Sequence, residues 1–134
     1  FQCGHASVLS FHATKVFHTF EGGAVCTNDK DLKQKLDKYK NFGLTNQKDE
    51  TTSLGLNLKL TEIQAAMGLI QLEYINKIIK KRRSIFSLYM QELASIKGIT
   101  PPRHININES NGSYFPILVN EHSKITRDHY SKSF

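Results

Sequence analysis

Residues 10–29 read SFHATKVFHTFEGGAVCTND, and the change of character along this stretch organises the rest of the chain. An apolar run at Val8, Leu9 and Phe11 gives way to the polar His12-Ala13-Thr14, so Ser10 and Lys15 fall where a buried strand opens into a loop. Functional side chains concentrate at such strand ends, where a rigid scaffold holds a variable loop. An amine held there loses part of its hydration, which disfavours the ammonium form. That is the condition for a lysine to form an imine with a carbonyl compound. Gly22-Gly23 then admits backbone angles closed to other residues and leads into a second apolar strand.

Working outward, the pattern predicts strands over Ser7 to Phe11 and Gly22 to Thr27, with the Lys15 loop between them. Asn28 or Asp29 caps the next helix, Asp31 sits in its first turn, Leu32, Leu36 and Tyr39 form its apolar stripe, and Gly43 ends it. From Leu44 to Lys59 the composition is polar and loop-like, which is long for a connection inside a domain and so suggests function. Thr61 and Gln64 stand at capping-box spacing. They fix the exit of that loop while leaving it free to project. Apolar residues then recur at helical period through Ile63, Met67, Ile70, Tyr74, Ile78, Ile85, Tyr89, Leu93 and Ile96, a helix of roughly 50 Å. Ala65, Ala66, Gly68, Leu69 and Leu72 make other faces of its first half apolar, so that half is expected to be buried nearly all round, and the second half on one side. Gly98, Pro101 and Pro102 end the helix, Tyr114 to Val119 reads as a strand, and Thr126 to Ser131 as the start of another helix.

Composition narrows the function classes. The chain has 134 residues, of which 39% are hydrophobic and 22% charged, as in a globular domain and unlike a disordered one. No apolar run approaches the roughly 18 to 20 residues that cross a bilayer, and no signal-peptide pattern opens the chain, so no membrane partner is expected. Cys3 and Cys26 make no disulfide framework and fit a reducing compartment, which points to the cytoplasm. The formal charge of +6 and the run Lys80-Lys81-Arg82-Arg83 invite a nucleic-acid reading. The run falls inside a helical pattern with no nucleic-acid module around it, however, and reads as a solvated helix surface. Cys3, His5, His12, His18 and Cys26 lack the paired spacing of a zinc site, so no metal is expected. Ser10 lacks the G-x-S-x-G elbow of a hydrolase nucleophile.

The segment resembles the active-site segment of the DegT/DnrJ/EryC1/StrS family, pyridoxal-phosphate-dependent aminotransferases acting on nucleotide-linked keto sugars. The family pattern S-F-H-x-x-K followed by E-G-G is matched by Ser10-Phe11-His12, Lys15 and Glu21-Gly22-Gly23. A second signature, G-x-N-x-x-(L/M)-(T/S)-E-I-Q-A-A, is matched by Gly55, Asn57 and Leu60 through Ala66. The resemblance implies an α/β fold, a piece of the aspartate-aminotransferase-like architecture (pyridoxal-phosphate fold type I): a mixed sheet with flanking helices and a long interdomain helix. It further implies that residues 1–60 end the large cofactor-binding domain, 61–96 form the interdomain helix and 97–134 begin a small carboxy-terminal domain.

By the same resemblance, Lys15 holds pyridoxal 5′-phosphate as an imine and then serves as general acid and base. Ser10 binds the cofactor phosphate, and Asn57 reaches across a homodimer interface to the phosphate of the neighbouring subunit. His12 is either a substrate or cofactor contact or a hydrogen-bonded structural histidine. The implied amino donor is glutamate and the acceptor a nucleotide-linked keto sugar. The form S-F-H-A-T-K points to a 4-keto-6-deoxyhexose, for surface-polysaccharide or amino-sugar synthesis. The related dehydratases carry histidine in place of the lysine, which Lys15 argues against. Family members are far longer, and the chain opens at Phe1 without methionine, so it is expected to be an internal piece lacking the main phosphate cradle and the pyridine partner, and inactive alone. The competing expectation is a gene remnant that acts only as a structural or interaction module.

Overall fold

The computed structural model describes residues 4–45, 48–51, 53–103, 105–121, 123–124 and 126–132. They form two compact units, Phe1–Glu73 and Tyr74–Phe134, whose boundary falls inside one long helix.

In the first unit, strand β1 (Ser7–Ser10) pairs antiparallel with β2 (Gly23–Cys26), from Ser7 opposite Cys26 to Ser10 opposite Gly23. Each strand is shorter than the sequence pattern predicts, although Phe11 and Gly22 still share a backbone hydrogen bond of 2.9 Å beyond the ladder. At the other end the Thr27 hydroxyl donates to the His5 carbonyl at 2.7 Å. Helix α1 (Lys30–Tyr39) is capped by Asp29, whose Oδ1 accepts the amides of Asp31 at 2.9 Å and Leu32 at 3.0 Å. Gly43, with φ 75°, closes its far end by donating to the Lys38 carbonyl at 2.9 Å. This is the left-handed closure that glycine makes at low cost.

The stretch read as a long polar loop contains a small antiparallel pair, β3 (Leu44–Thr45) with β4 (Lys48–Thr51). Residues 46, 47 and 52 of that stretch lie outside the described set. Lys48-Asp49-Glu50 carries no apolar alternation, so backbone pairing there leaves no period-two signal in the sequence.

Helix α2 (Glu62–Leu93) begins with the predicted box: the Thr61 amide donates to Gln64 Oε1 at 2.9 Å and the Gln64 amide to Thr61 Oγ1 at 3.3 Å. The expectation that its first half is buried all round does not hold, since Ile63 is 77% and Leu69 67% exposed. The apolar pattern records how much cover these side chains call for. Within the first unit the Lys15 loop covers only the face bearing Gly68 and Gln71.

In the second unit, Phe86 is buried on α2 and meets Phe115 edge to face at 4.6 Å, with Tyr89 adding a second such contact at 5.4 Å. Strand β5 (Ile99–Thr100) pairs with β6 (Leu118–Val119). Only the end of the predicted Tyr114 to Val119 strand is realised, because Pro116 has no amide to give a ladder. A short helix α3 spans Arg127–Lys132. The basic run is a correction too: it is only partly a solvated surface. Arg83 Nε donates to the Ser110 carbonyl at 2.8 Å and Arg82 to that of Gly112 at 3.4 Å, while Lys80 and Lys81 stay exposed. Successive residues of a helix point in different directions, so one run serves two roles.

Helix α1 carries a pH-sensitive element. Asp37 accepts from Lys33 and from Lys40, the latter at 2.8 Å, and these ammonium groups lower its carboxyl to about 2. Asp29 is lowered in the same direction, first by the Leu32 amide. A carboxyl depressed in the folded state stabilises it above the unfolded-state pKa, and that contribution is lost as pH falls toward the folded value. Amide protection in α1, corrected for the intrinsic exchange rate, should therefore fall between about pH 4 and 2, and Asp37→Asn should remove part of that acid dependence.

Candidate functional site

Lys15 lies on a loop closed at three points. Phe11 donates to the Gly22 carbonyl, Thr19 donates to the Phe11 carbonyl, and Lys15 itself donates to the His12 carbonyl, each at 2.9 Å. Beneath the tip Val16 is buried, and Thr19, at 2% exposed, is the most enclosed side chain among the described residues. The rings of Phe11 and Phe17 meet edge to face at 5.0 Å, bracing the two sides of the loop.

The return from loop to β2 is tight. Phe20 adopts φ 67° and Gly22 φ 130°. A left-handed residue bearing a side chain costs roughly 1 to 2 kcal/mol. The turn offsets this through the Thr19 hydroxyl, which donates to the Glu21 carbonyl at 2.6 Å, and the Phe20 amide, which donates to His18 Nδ1 at 3.4 Å. A Cβ at Gly22 would meet Leu60 Cδ1 at 2.8 Å and Thr19 Oγ1 at 3.0 Å, so the turn closes only on glycine.

Three of the four residues singled out from sequence gather here. Ser10 is exposed at the end of β1, and its Oγ takes a long contact of 3.5 Å from the His12 amide. His12 Nδ1 accepts the Thr14 amide at 3.2 Å and lies 2.9 Å from Thr14 Oγ1, while its Nε2 is 3.5 Å from Glu21 Oε1. With Nδ1 accepting an amide, the neutral ring carries its hydrogen on Nε2, toward Glu21. Lys15 is half-buried, and among the described residues its ammonium has no hydrogen-bond or ion-pair partner. The loop thus carries an amine without a partner among the described residues, and Ser10 stands at the strand end that opens the loop.

Asn57 is held separately. Leu56 donates to the Tyr39 carbonyl at 2.7 Å, Leu58 to that of Lys40 at 3.0 Å, and Phe42 to that of Leu56 at 3.1 Å, with Asn41 and Asn57 bridged between them. The first two use carbonyls that the end of α1 leaves without helical partners. Residues 55–58 are therefore strapped to α1 and not free to project, as the sequence suggested. The strap requires close backbone approach: a Cβ at Gly55 would lie 2.0 Å from the Gly43 nitrogen. The Asn57 side chain is exposed, and among the described residues no hydrogen bond links it to Ser10, His12 or Lys15.

Sequence reasoning passed over the residues that hold this loop down: Thr19, His18, Gly68 and Gln71. A threonine and a histidine in a polar loop carry no periodic signal, and their burial depends on α2 returning across more than forty positions of sequence. Among the described residues no three His, Cys, Asp or Glu side chains gather to hold a metal; Cys3 lies outside that set, and Cys26 is a free thiol.

Comparison with known proteins bears on this geometry. The model of the DegT/DnrJ/EryC1/StrS aminotransferase family matches residues 2–134. A dTDP-4-amino-4,6-dideoxy-D-glucose transaminase from Shigella dysenteriae is 46% identical over 127 residues, covering 93% of this chain and 34% of the relative. Among solved structures, PseC of Helicobacter pylori, an aminotransferase involved in the biosynthesis of pseudoaminic acid, aligns with a TM-score of 0.77 at 35% identity over 87% of this chain and 32% of its own. DesI, solved in the presence of its TDP-sugar product, aligns with a TM-score of 0.81 at 36% identity over 93% of this chain and 32% of its own. The mixed α/β arrangement is accordingly part of the fold these sugar aminotransferases share. The chain spans about a third of the length of the relatives it matches.

The strap generates a stability prediction. Gly55→Ala cannot place its methyl without detaching residues 55–58 from α1, and three backbone hydrogen bonds at about 1 kcal/mol each make the cost about 2 to 3 kcal/mol in urea unfolding. An unchanged midpoint would show that the strap contributes nothing.

Proposed function

The chain belongs to the DegT/DnrJ/EryC1/StrS aminotransferase family, and on that premise we propose that it carries the catalytic lysine of a pyridoxal-phosphate-dependent transaminase acting on a nucleotide-linked 4-keto-6-deoxyhexose, with glutamate as amino donor. The observation that carries the reading is the Lys15 amine, half-buried on a closed loop and without a partner among the described residues. The names of the relatives support the substrate class, since the Shigella dysenteriae protein is named for a nitrogen on carbon 4 of a dTDP-linked 4,6-dideoxyglucose. Synthesis of amino sugars for surface polysaccharide is the role that follows.

The donor set fits the cofactor: a free primary amine for its aldehyde and an exposed hydroxyl, Ser10, for its phosphate. Pyridoxal phosphate, when bound, supplies the conjugated ring that stabilises negative charge at the carbon bearing the transferred nitrogen. Lys15 Nζ would hold the cofactor at its aldehyde carbon and, once released, would act as the base that takes the proton from the donor carbon and the acid that gives it back in a 1,3-shift. Ser10 donates to phosphate, and His12, fixed by Thr14 and Glu21, presents a ring at the mouth of the loop toward substrate. Asn57 donates its amide to the phosphate held by a second subunit, so the working unit is a homodimer. The domain reading proposed is that residues 1–60 end the cofactor domain, 61–96 hold the interdomain helix, of which Glu62–Leu93 is helical and residues 94–96, expected to continue it, are not, and 97–134 begin the small domain.

Two outcomes test this. In the full-length protein Lys15→Ala should lower turnover by at least about 10³-fold, within the range that loss of a positioned acid-base group produces. Activity retained in that variant would remove Lys15 from the mechanism. Mixing inactive Lys15→Ala and Asn57→Ala subunits should restore part of the activity, because a shared site lets one site of the mixed dimer collect both lesions and leaves the other intact. No recovery after demonstrated subunit exchange would confine Asn57 to its own subunit.

A further inference from the structure

Thr19 is gripped from three directions. Its amide closes the Lys15 loop on the Phe11 carbonyl, its hydroxyl donates to the Glu21 carbonyl at 2.6 Å, and its methyl faces Gly68 of α2, where an added Cβ would stand 3.1 Å from Thr19 Cγ2. One residue earlier, His18 Nε2 lies 3.1 Å from Gln71 Nε2, on a side chain one helical turn along α2 from Gly68. A neighbour with this many ties cannot yield a few tenths of an ångström by rotating alone. Displacing it moves the base of the loop.

We propose that Thr19 is a positioning residue for Lys15, seated against Gly68 so that α2 sets where the lysine amine is held. This rests on the reading that Lys15 carries the chemistry. Glycine at position 68 is otherwise a poor choice in the interior of a helix, where alanine is favoured. The seat explains it: the bare α-carbon makes room for the Thr19 methyl, with the tip of the Phe17 ring next nearest at 3.7 Å.

The test uses the full-length protein and the variants Gly68→Ala, Thr19→Ser and their combination, with Lys15→Ala as reference. Gly68→Ala adds a methyl against Thr19 Cγ2, and Thr19→Ser removes that atom while keeping the hydroxyl. Two readouts are taken: turnover, and the rate at which trace acetic anhydride acylates Lys15 in the cofactor-free protein, mapped by peptide mass. Gly68→Ala should lower kcat several-fold, less than the about 10²-fold that a misplacement of about 1 Å produces, with donor KM little changed. It should alter Lys15 acylation while the protein stays folded, the helix gain of alanine offsetting part of the packing strain. Adding Thr19→Ser should restore both readouts. Gly68→Ala with unchanged acylation and kcat, or a double variant as impaired as the single, would overturn the proposal. An active Lys15→Ala would instead overturn the catalytic reading, and the acylation pattern would still decide the seat.

Discussion

The amide of Thr19 donates to the carbonyl of Phe11, and the placement of Lys15 depends on that closure. A single hydrogen bond contributes only about 1 kcal/mol net. Its effect is larger because it is made where Thr19 is also buried and where Gly22 turns the chain into β2. A flexible loop would let the lysine sample many positions, and each ordered residue costs about 1 to 2 kcal/mol of backbone entropy. Here that cost is met once, in the fold, by a loop tied to the hairpin at one side and to α2 at the other.

The rest of the first unit extends from the same economy of close contacts. The end of α1 satisfies its carbonyls with residues 56 and 58, a pairing that two facing glycines permit. Apolar side chains contribute less than their number suggests. Full burial of a leucine is worth about 1.5 to 3 kcal/mol, yet Leu54, Ile63 and Leu69 stand mostly exposed. The chain spans about a third of the length of the relatives it matches.

Much of this was legible in the order of residues. The two strands, the capped α1, the Thr61–Gln64 box and the length of α2 each follow from local chemistry: a period, a cap, a breaker. Ser10, His12 and Lys15 were singled out because the apolar-to-polar change and the Gly-Gly pair are local signals too, and the roles proposed for them came from resemblance. What was not legible is non-local. The β3–β4 pair lacks apolar alternation, the strap of residues 55–58 depends on where α1 ends, and the split of the basic run depends on carbonyls nearly thirty residues away. Thr19 reads as an ordinary loop threonine until α2 is laid against it.

The central claim is that Lys15, among the many lysines of this chain, is the one that carries the cofactor. Incubating the full-length protein with pyridoxal phosphate, reducing with borohydride and mapping the adduct by peptide mass tests it directly. The account predicts a stoichiometric adduct on the peptide containing Lys15. An adduct on another lysine with Lys15 unmodified would contradict it.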